Sequence, residues 1–370
     1  MKLFSSKTII EFKKILKPHK YKKVFIITGK NSFFLSGAKE ITSKVITSQE
    51  CNFFFKKLKI PEINELKEII LKIRKIKPNL ILAIGGGAVI DYAKIASNII
   101  NTENLERNIQ KNSCPIKKHT PLLVIPTTAG SGAEVTSNAV IYIKNIKYSV
   151  QGKSLIPDYF LLIPELVMGL KKKIKSSAGF DAIAQGIESL LSKKSNKESV
   201  QYAIKSLKLS FPNYINFIKK PDLDNAQKMC LAANLSGKAI SISKTTAPHA
   251  VSYPFTAHFG IHHGHAVSLT FNDFLKFNFN NIKYADCDFS LKKRYDILFN
   301  LSKTSNINEF DLFIRDLKRK ANLETNFKKI NIDIKKSIPL ILKGVNLQRL
   351  SNNPVNLKIT DLKSILLKNK

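Results

Sequence analysis

The sequence contains few cysteines, no long apolar run and no leader-like N-terminus. Its four cysteines are far apart and form no CxxC pair, which excludes a disulfide framework and a thiolate zinc site. They are Cys51, Cys114, Cys230 and Cys287. No run of eighteen apolar residues occurs, so the sequence predicts no transmembrane helix. Lysines interrupt segment 1–23, which argues against a secretory signal and favours a cytoplasmic protein.

Acidic side chains are scarce: 27 Asp and Glu stand against 61 Lys and Arg, and the formal net charge is +34. Such an excess would suit nucleic acid or an anionic membrane. The lysines are dispersed, however, and no helix-turn-helix, zinc-finger or RNP pattern and no basic stripe interleaved with aromatics accompanies them. We therefore expect neither a nucleic-acid nor a membrane partner, and we expect the charge to favour anionic ligands.

The first half of the chain alternates strand and helix patterns. Apolar runs at 23–28, 79–85 and 122–128 predict strands, and the periodicity of 61–78 and 88–101 predicts amphipathic helices. Strands that alternate with helices are typical of a parallel sheet with helices on both faces. The 370 residues, 44% of them apolar, are enough for two domains.

From about residue 171 onward, only the helical period continues. The segments that show it are 175–193, 197–220, 224–244 and 295–303. We therefore predict an α/β domain over 1–170, followed by an all-helical domain over 171–370, with the functional site in the cleft between them.

A triple glycine ends the second predicted strand, at Gly85, Gly86 and Gly87. Glycine there lets the backbone approach a pyrophosphate, and the N-terminus of the next helix, which contains Asp91, supplies free N–H groups. A plain tight turn is the alternative. We predict that these glycines and Asp91 contact a dinucleotide.

A second glycine-rich loop, PTTAGSGAEVT, follows the strand at 122–128. Thr127, Thr128 and Ser131 offer hydroxyl groups to phosphates or a ribose. Two such loops after neighbouring strands favour a dinucleotide site over surface loops. The turn after the first strand contributes Gly29, Asn31 and Ser32, and contains no Asp to hold a ribose 2′-hydroxyl, which allows NADPH as well as NADH.

Five of the seven histidines lie between residues 247 and 270. Such a cluster predicts a metal site, for which His249 and His263 are candidates. Upstream, Asp181 and Gln185 are spaced i and i+4, and so share one helix face. Two oxygen donors and two imidazoles would suit a divalent first-row ion. Pro254 and Gly260 are expected to interrupt any helix between the two histidines.

Four motifs in this order resemble the signatures of the iron-containing (group III) alcohol dehydrogenases. They are GGGAVIDYAK, IPTTAGSGAEVT, GFDAIAQGIES and HAVSYPFTAHFGIHHGHA. The resemblance covers roughly residues 20–275. It implies a dehydroquinate synthase-like fold, in which a nucleotide-binding α/β domain precedes a helical metal-binding domain.

By this resemblance, the ligands of Fe²⁺ or Zn²⁺ are Asp181, Gln185, His249 and His263. The family normally has histidine where this chain has Gln185, and an amide oxygen is a weaker donor than imidazole. The family also places histidine at the position of Tyr253. Tyr253, His265 or water would therefore donate the proton.

In both of these departures the chain resembles the phosphonoacetaldehyde reductase branch of the family. The segment SKTTAPHAVSYP also resembles that branch. Lys244, Thr245 and Thr246 would supply an ammonium group and hydroxyls to a phosphonate, although Lys244 could also be one of the dispersed surface lysines. The implied reaction is NAD(P)H-dependent, metal-assisted reduction of phosphonoacetaldehyde to 2-hydroxyethylphosphonate, by an oxidoreductase acting on CH–OH groups.

The sequence is also compatible with three other functions. One is an alcohol dehydrogenase for short uncharged substrates, another is a lyase like dehydroquinate synthase, and a third is a basic nucleic-acid-binding protein on a dehydrogenase scaffold. A homodimer is an assembly that the sequence allows.

Overall fold

The structure is a computed structural model that describes residues 6–16 and 21–368. His19 and part of the N-terminal segment, on which the expectation about a secretory signal rests, lie outside these residues. The chain forms two compact units. The first contains the residues up to Leu170 and also Asp222–Cys230, and the second contains Lys171–Pro221 and the residues from Leu231 onward. A domain boundary at residue 170 stays a prediction.

The first unit is built around parallel strands. The strands are β1 Lys23–Gly29, β2 Glu50–Lys56, β3 Leu80–Gly85, β4 Leu122–Pro126, β5 Asn138–Ile143, β6 Ile146–Gln151 and β7 Tyr159–Phe160. The helices are α1 Ser6–Leu16, α2 Lys30–Leu35, α3 Ala38–Val45, α4 Ile63–Ile76, α5 Gly87–Ala96, α6 Leu105–Gln110 and α7 Pro164–Met168.

The main sheet has the order β2-β1-β3-β4-β7, and every neighbouring pair is parallel. The predicted parallel sheet is therefore confirmed. Thr28 pairs with Ile84, and Gly85 pairs with Pro126, so β1, β3 and β4 end at the same edge of the sheet. Parallel α/β sheets bind ligands at this carboxyl edge.

Both faces of the sheet are covered, because successive side chains of a strand point to opposite faces. Phe25 and Ile27 belong to a core that includes residues of α4 and α5. Val24 and Ile26 belong to a second core that includes residues of α1 and α3. Strands that are buried on both faces appear as continuous apolar runs, which is why the sequence pattern revealed them.

Strand β2 and the antiparallel hairpin of β5 and β6 were not predicted. β2 forms the edge of the sheet, and most of its residues are only partly buried. Its segment ECNFFFK has neither a continuous buried run nor a strict alternation. The hairpin forms a separate two-stranded sheet, and its polar positions obscured its period. The helix expected after Gly29 is two helices, separated at Gly37, whose φ is 96°.

Helices dominate the second unit, as predicted. They are α8 Lys172–Leu191, α9 Lys197–Lys219, α10 Leu223–Ser243, α11 Ala247–Phe259, α12 His263–Ser268, α13 Phe271–Asn280, α14 Leu291–Ser302, α15 Ile307–Lys320, α16 Ile334–Lys343, α17 Leu347–Leu350 and α18 Ile359–Lys368. α10 begins in the first unit. Within the residues that the structure describes, no helix is both long and apolar enough to cross a membrane.

α11 differs from the expectation that Pro254 would interrupt it. The helix passes through Pro254 and ends at Phe259, and the next residue, Gly260, has a left-handed φ of 65°. A proline in a helix lacks the N–H that would bond to the carbonyl four residues earlier, here that of Ala250. Asn346 donates its backbone N–H to that carbonyl at 3.2 Å, so the oxygen keeps a partner and the helix continues. The bend lies between Gly260 and His263, as expected.

Candidate active site

Three of the four predicted metal ligands come together in the second unit. Asp181 lies on α8, His249 on α11 and His263 at the start of α12, and one ligand atom from each lies within 4.8 Å of the others. His249 Nε2 is 3.1 Å from Asp181 Oδ1, and His263 Nε2 is 3.9 Å from the same oxygen. The atoms are therefore close enough to surround one ion.

The chemistry of these donors fits a divalent cation. Asp181 and a second carboxylate, Glu188, are buried, with 4% and 1% of their surfaces exposed. Burial lowers the pKa of His249, but the carboxylates of Glu188 and Asp181 outweigh this effect and raise that pKa to about 10. The surroundings thus favour a positive charge at this point. A first-row divalent ion supplies one while imidazole and carboxylate act as its ligands.

Glu188 holds the His249 ring through Nδ1, the ring nitrogen opposite the one that faces Asp181. Its Oε2 accepts a hydrogen bond from Nδ1 of His249, and its Oε1 accepts bonds from the backbone N–H and the hydroxyl of Thr246, both at 2.9 Å. Because Nδ1 keeps its proton for Glu188, Nε2 is the nitrogen that would give up its proton to bind a metal. The role of Glu188 was not predicted from the sequence. The signal was present, because Asp181, Gln185 and Glu188 are spaced i, i+4 and i+7 on one helix face.

Gln185 is buried on the same helix, and its Oε1 lies 3.0 Å from Ser236 Oγ. Ser236 Oγ also lies 2.9 Å from Ala233 O, and one hydroxyl proton cannot serve both acceptors. If the proton goes to Ala233 O, Nε2 of Gln185 must face Ser236, and Oε1 then lies on the opposite side of the amide. Gln185 as the fourth ligand stays a prediction.

We expect Gln185→His to increase the affinity of the site for Zn²⁺ or Fe²⁺ by roughly tenfold, because imidazole is a better donor than an amide oxygen for these ions. Metal retained after mild chelation, measured by elemental analysis, checks this. Ser236→Ala serves as a control, because it removes the hydrogen-bond partner and leaves the Gln185 amide in place. Equal metal content in Gln185→His and the wild type would contradict a ligand role for this position.

Gly264 permits the close approach that brings His263 to Asp181. A Cβ atom at Gly264 would lie 1.9 Å from the backbone oxygen of Ser177 and 2.9 Å from Cβ of Asp181. Any other residue would therefore collide with the backbone of α8. The need for Gly264 was not predicted from the sequence, because nothing local in HHGH reveals which backbone lies opposite it.

The two candidate proton donors have different surroundings. Tyr253 is buried one helical turn after His249, and its ring stacks on that of His263 with centroids 5.7 Å apart. His265 directs Nε2 at Glu324 O, 2.6 Å away, so that nitrogen carries a proton. Burial is the main cause that lowers the pKa of His265. Tyr253 contacts the ligand cluster, whereas a ring nitrogen of His265 is occupied elsewhere.

Hydrogen bonds within the protein already occupy some of the groups that were predicted to bind the substrate. The hydroxyl of Thr246 donates to Glu188, so Thr246 supports His249 and has no proton left for a phosphonate. Thr245 is buried, and Asn352 Nδ2 donates to its backbone oxygen at 3.1 Å. Lys244 is partly buried and donates from Nζ to Ser241 O at 2.8 Å. Of the three, Lys244 keeps donors for another partner.

In the first unit, the two glycine loops lie against each other. A Cβ atom at Gly86 would be 3.4 Å from Thr128 Oγ1, and one at Gly87 would be 3.1 Å from Ser131 Oγ. α5 begins at Gly87, with its N-terminal N–H groups at the carboxyl edge of the sheet. A backbone without side chains, a helix N-terminus and nearby hydroxyls fit a pyrophosphate.

Thr127 connects the two loops. Its backbone N–H donates to Gly85 O at 3.0 Å. Its buried Oγ1 has no hydrogen-bond partner among the residues described. Buried hydroxyl groups nearly always have one, and a bound cofactor would supply it.

Two of the other predicted cofactor contacts, Asp91 and Ser32, have partners within the protein. Asp91 accepts a hydrogen bond from the backbone of Val140. Burial raises its pKa to about 6, although nearby Lys94 opposes the rise. Ser32 Oγ donates to Gly29 O at 2.9 Å, and Asn31 is exposed. Direct contact of these residues with a dinucleotide stays a prediction.

Two protein-family models match the chain. The model described as iron-containing alcohol dehydrogenase matches residues 2–164, and the model of the C-terminal part of the Fe-containing alcohol dehydrogenase family matches residues 175–370.

The individual relatives of the chain have names that describe different substrates. The chain is 32% identical over 227 residues to the phosphonoacetaldehyde reductase of Streptomyces viridochromogenes, a match that spans 58% of this chain and 57% of that protein. It is 29% identical over 221 residues to the 4-hydroxybutyrate dehydrogenase of Clostridium kluyveri, with 58% and 59% covered. The chain thus spans somewhat more than half the length of these relatives.

A solved structure resembles the chain over nearly its whole length. It is sulfoacetaldehyde reductase from Bifidobacterium kashiwanohense in complex with NAD⁺, with a TM-score of 0.87, 25% identity, and 99% of this chain and 96% of that chain covered. The fold, the Asp–His–His cluster and the two family matches agree, and this chain belongs to the iron-containing alcohol dehydrogenase family of oxidoreductases.

Proposed function

We propose that the chain reduces a small aldehyde with NADH or NADPH, at a divalent metal held by Asp181, His249 and His263, with Gln185 as a fourth donor. The observation that carries the proposal is the cluster of three ligand atoms, together with Glu188, which sets the tautomer of His249. Two buried ligands and a partly buried third, with a carboxylate that supports one of the histidines, are typical of a functional metal site.

Bound NAD(P)H would supply the hydride, and the bound ion would polarise the carbonyl oxygen of the aldehyde as a Lewis acid. The protein's own groups hold the reactants and move the proton. Gly86, Gly87 and the loop from Thr127 to Ser131 would hold the pyrophosphate and ribose. Tyr253, which packs against His263, is the best placed donor of the proton that the alcohol product needs.

We propose an aldehyde with an anionic substituent as the substrate, and phosphonoacetaldehyde in particular. The names of the Streptomyces and Bifidobacterium relatives both describe an acetaldehyde that carries such a group. The net charge of +34 also favours an anionic ligand. We place the reaction in the cytoplasm, and a homodimer stays a prediction.

Steady-state kinetics test this proposal. With the metal-loaded protein and each cofactor, we expect kcat/KM for phosphonoacetaldehyde to exceed that for propanal by at least about tenfold, the effect of one charge-assisted contact. Succinic semialdehyde, whose reduction gives 4-hydroxybutyrate, shows whether a carboxylate serves equally well. Equal or better turnover of propanal would favour a dehydrogenase for uncharged substrates. No turnover with any aldehyde would overturn the proposed activity.

A further inference from the structure

Strand β2 carries aromatic side chains at an open edge of the main sheet. It is the outermost of the described strands, and within residues 6–16 and 21–368 it pairs with β1 alone. Phe53 of this strand is 42% exposed, and Phe34 of helix α2 is 45% exposed. An edge strand can pair with another chain, and proteins usually protect it with charges or proline. The middle of this edge instead presents phenylalanine.

The exposed rings form an ordered cluster with Phe33 and Phe55. Phe53 stacks on Phe55 with ring centroids 5.8 Å apart, and Phe34 stacks on Phe55 at 6.0 Å. Phe33 packs edge-on against Phe53 at 5.7 Å. These rings and residues of helix α3 line a groove of about 470 Å³. An apolar surface beside an unpaired strand is suited to pack against another protein surface.

The backbone of β2 determines which of its residues face the open edge. Glu50 donates its N–H to the oxygen of Lys22, which precedes β1, at 2.8 Å. Successive residues of a strand point their N–H and C=O groups to opposite sides. The even-numbered residues of β2 therefore bond to β1, and Cys51, Phe53 and Phe55 direct theirs outward. No residue in the described part of the chain bonds to these outward groups.

A second copy of β2 matches this edge when it lies antiparallel, with a two-fold axis at Phe53. The outward groups of Phe53 then bond to those of the same residue in the second copy, and those of Cys51 bond to those of Phe55. Glu50 and Lys56, the only charged residues of the strand, lie opposite each other, twice in the dimer. An axis at either of the other two outward-facing residues would separate this pair.

Both charged residues have capacity for this contact. Glu50 is exposed, and its Oε1 lies 3.5 Å from Lys23 Nζ. Lys56 donates from Nζ to the backbone oxygens of Leu58 and Lys59, and an ammonium group has a third proton. Within one chain, Glu50 and Lys56 are six residues apart in an extended strand, about 20 Å. They can therefore pair only between two copies.

We propose that two copies of the chain associate through β2, antiparallel about Phe53, so that their five-stranded sheets join into one continuous sheet. The phenylalanine side chains of each copy cover those of the other, and the two pairs of Glu50 with Lys56 fix the register. The homodimer that the sequence allows thereby receives a defined interface. The inference does not depend on the proposed reductase function.

Phe53→Glu tests the interface, because it places two carboxylates next to each other on the two-fold axis. We expect the wild type to sediment as a dimer, and the variant to have a dimer dissociation constant at least about a hundredfold higher. Ile146→Glu, at an exposed position of β6, is the matched control and should remain dimeric. A monomeric wild type, which would leave the edge to a different partner, or an undisturbed Phe53→Glu dimer, would overturn the inference.

Glu50→Lys and Lys56→Glu test the register. Each variant alone should dimerise about tenfold or more weakly than the wild type, because like charges then meet twice across the axis. An equimolar mixture of the two variants should form a heterodimer, in which both pairs have opposite charges. A local effect on either chain cannot produce recovery on mixing. Two variants that stay apart when mixed would refute this register.

Phe53→Cys tests the position of the axis without a change of charge. Directly opposed residues of a hydrogen-bonded antiparallel pair have Cα atoms about 5.5 Å apart, a distance that a disulfide can span. We expect mild oxidation to link two copies of this variant. The wild type should not be linked, because its Cys51 lies opposite Phe55. A dimer of Phe53→Cys that does not cross-link would contradict an axis at Phe53.

Discussion

Gly264→Ala is expected to abolish metal binding and to lower the free energy of unfolding by about 3 kcal/mol, the upper part of the usual range for overpacking. A methyl group at this position would lie 1.9 Å from the backbone oxygen of Ser177. A backbone atom cannot move aside as the end of a side chain can, so α12 must shift away from α8. His263, which starts α12, would then move away from Asp181.

Denaturant unfolding and metal content measure the two effects. Gly260→Ala is the control, because no atom of the described residues lies within 4 Å of a Cβ atom at Gly260, whose φ is 65°. That substitution should cost only about 1 kcal/mol, from the left-handed backbone, and should leave the metal bound. Normal metal content and stability in Gly264→Ala would show that the contact between α8 and α12 does not set the position of His263.

Glu188→Gln is expected to lower metal affinity by about ten- to a hundredfold while the fold is retained. The amide has the shape of the carboxylate but presents N–H donors at one end. If these face His249, Nδ1 must accept, and the ring proton moves to Nε2, where it blocks the metal. If the amide oxygen faces His249 instead, the donors meet the backbone N–H of Thr246, which also donates.

Glu188→Ala should destabilise the protein more than Glu188→Gln does, because it leaves the buried donors of His249 and Thr246 without an acceptor. We expect a loss of about 3 to 5 kcal/mol of unfolding free energy, as when one partner of a buried ion pair is removed. Chelator competition gives the metal affinities of both variants. Glu103→Gln, at an exposed position of the first unit, is the control. Unchanged affinity in Glu188→Gln would contradict the role of Glu188 in orienting His249.

The fold was predictable where local sequence patterns depend on burial. The central strands β1, β3 and β4 are buried on both faces and appear as apolar runs, and α8 to α10 keep a helical period over long segments. β2, at the edge of the sheet, has no such run. The continuation of α11 through Pro254 was not predictable, because the partner of the released Ala250 carbonyl is Asn346, almost a hundred residues away.

The sequence by itself determined the fold class, the two glycine loops and a candidate ligand set, because each follows from short-range spacing or from the order of motifs. Asp181, His249 and His263 were predicted as ligands, and the structure brings them together. Glu188 could have been predicted from its spacing on α8. Only the tertiary structure decided the need for glycine at 264 and the engagement of Thr246 with Glu188. Each of these depends on the distance between residues far apart in the chain, which local patterns do not encode.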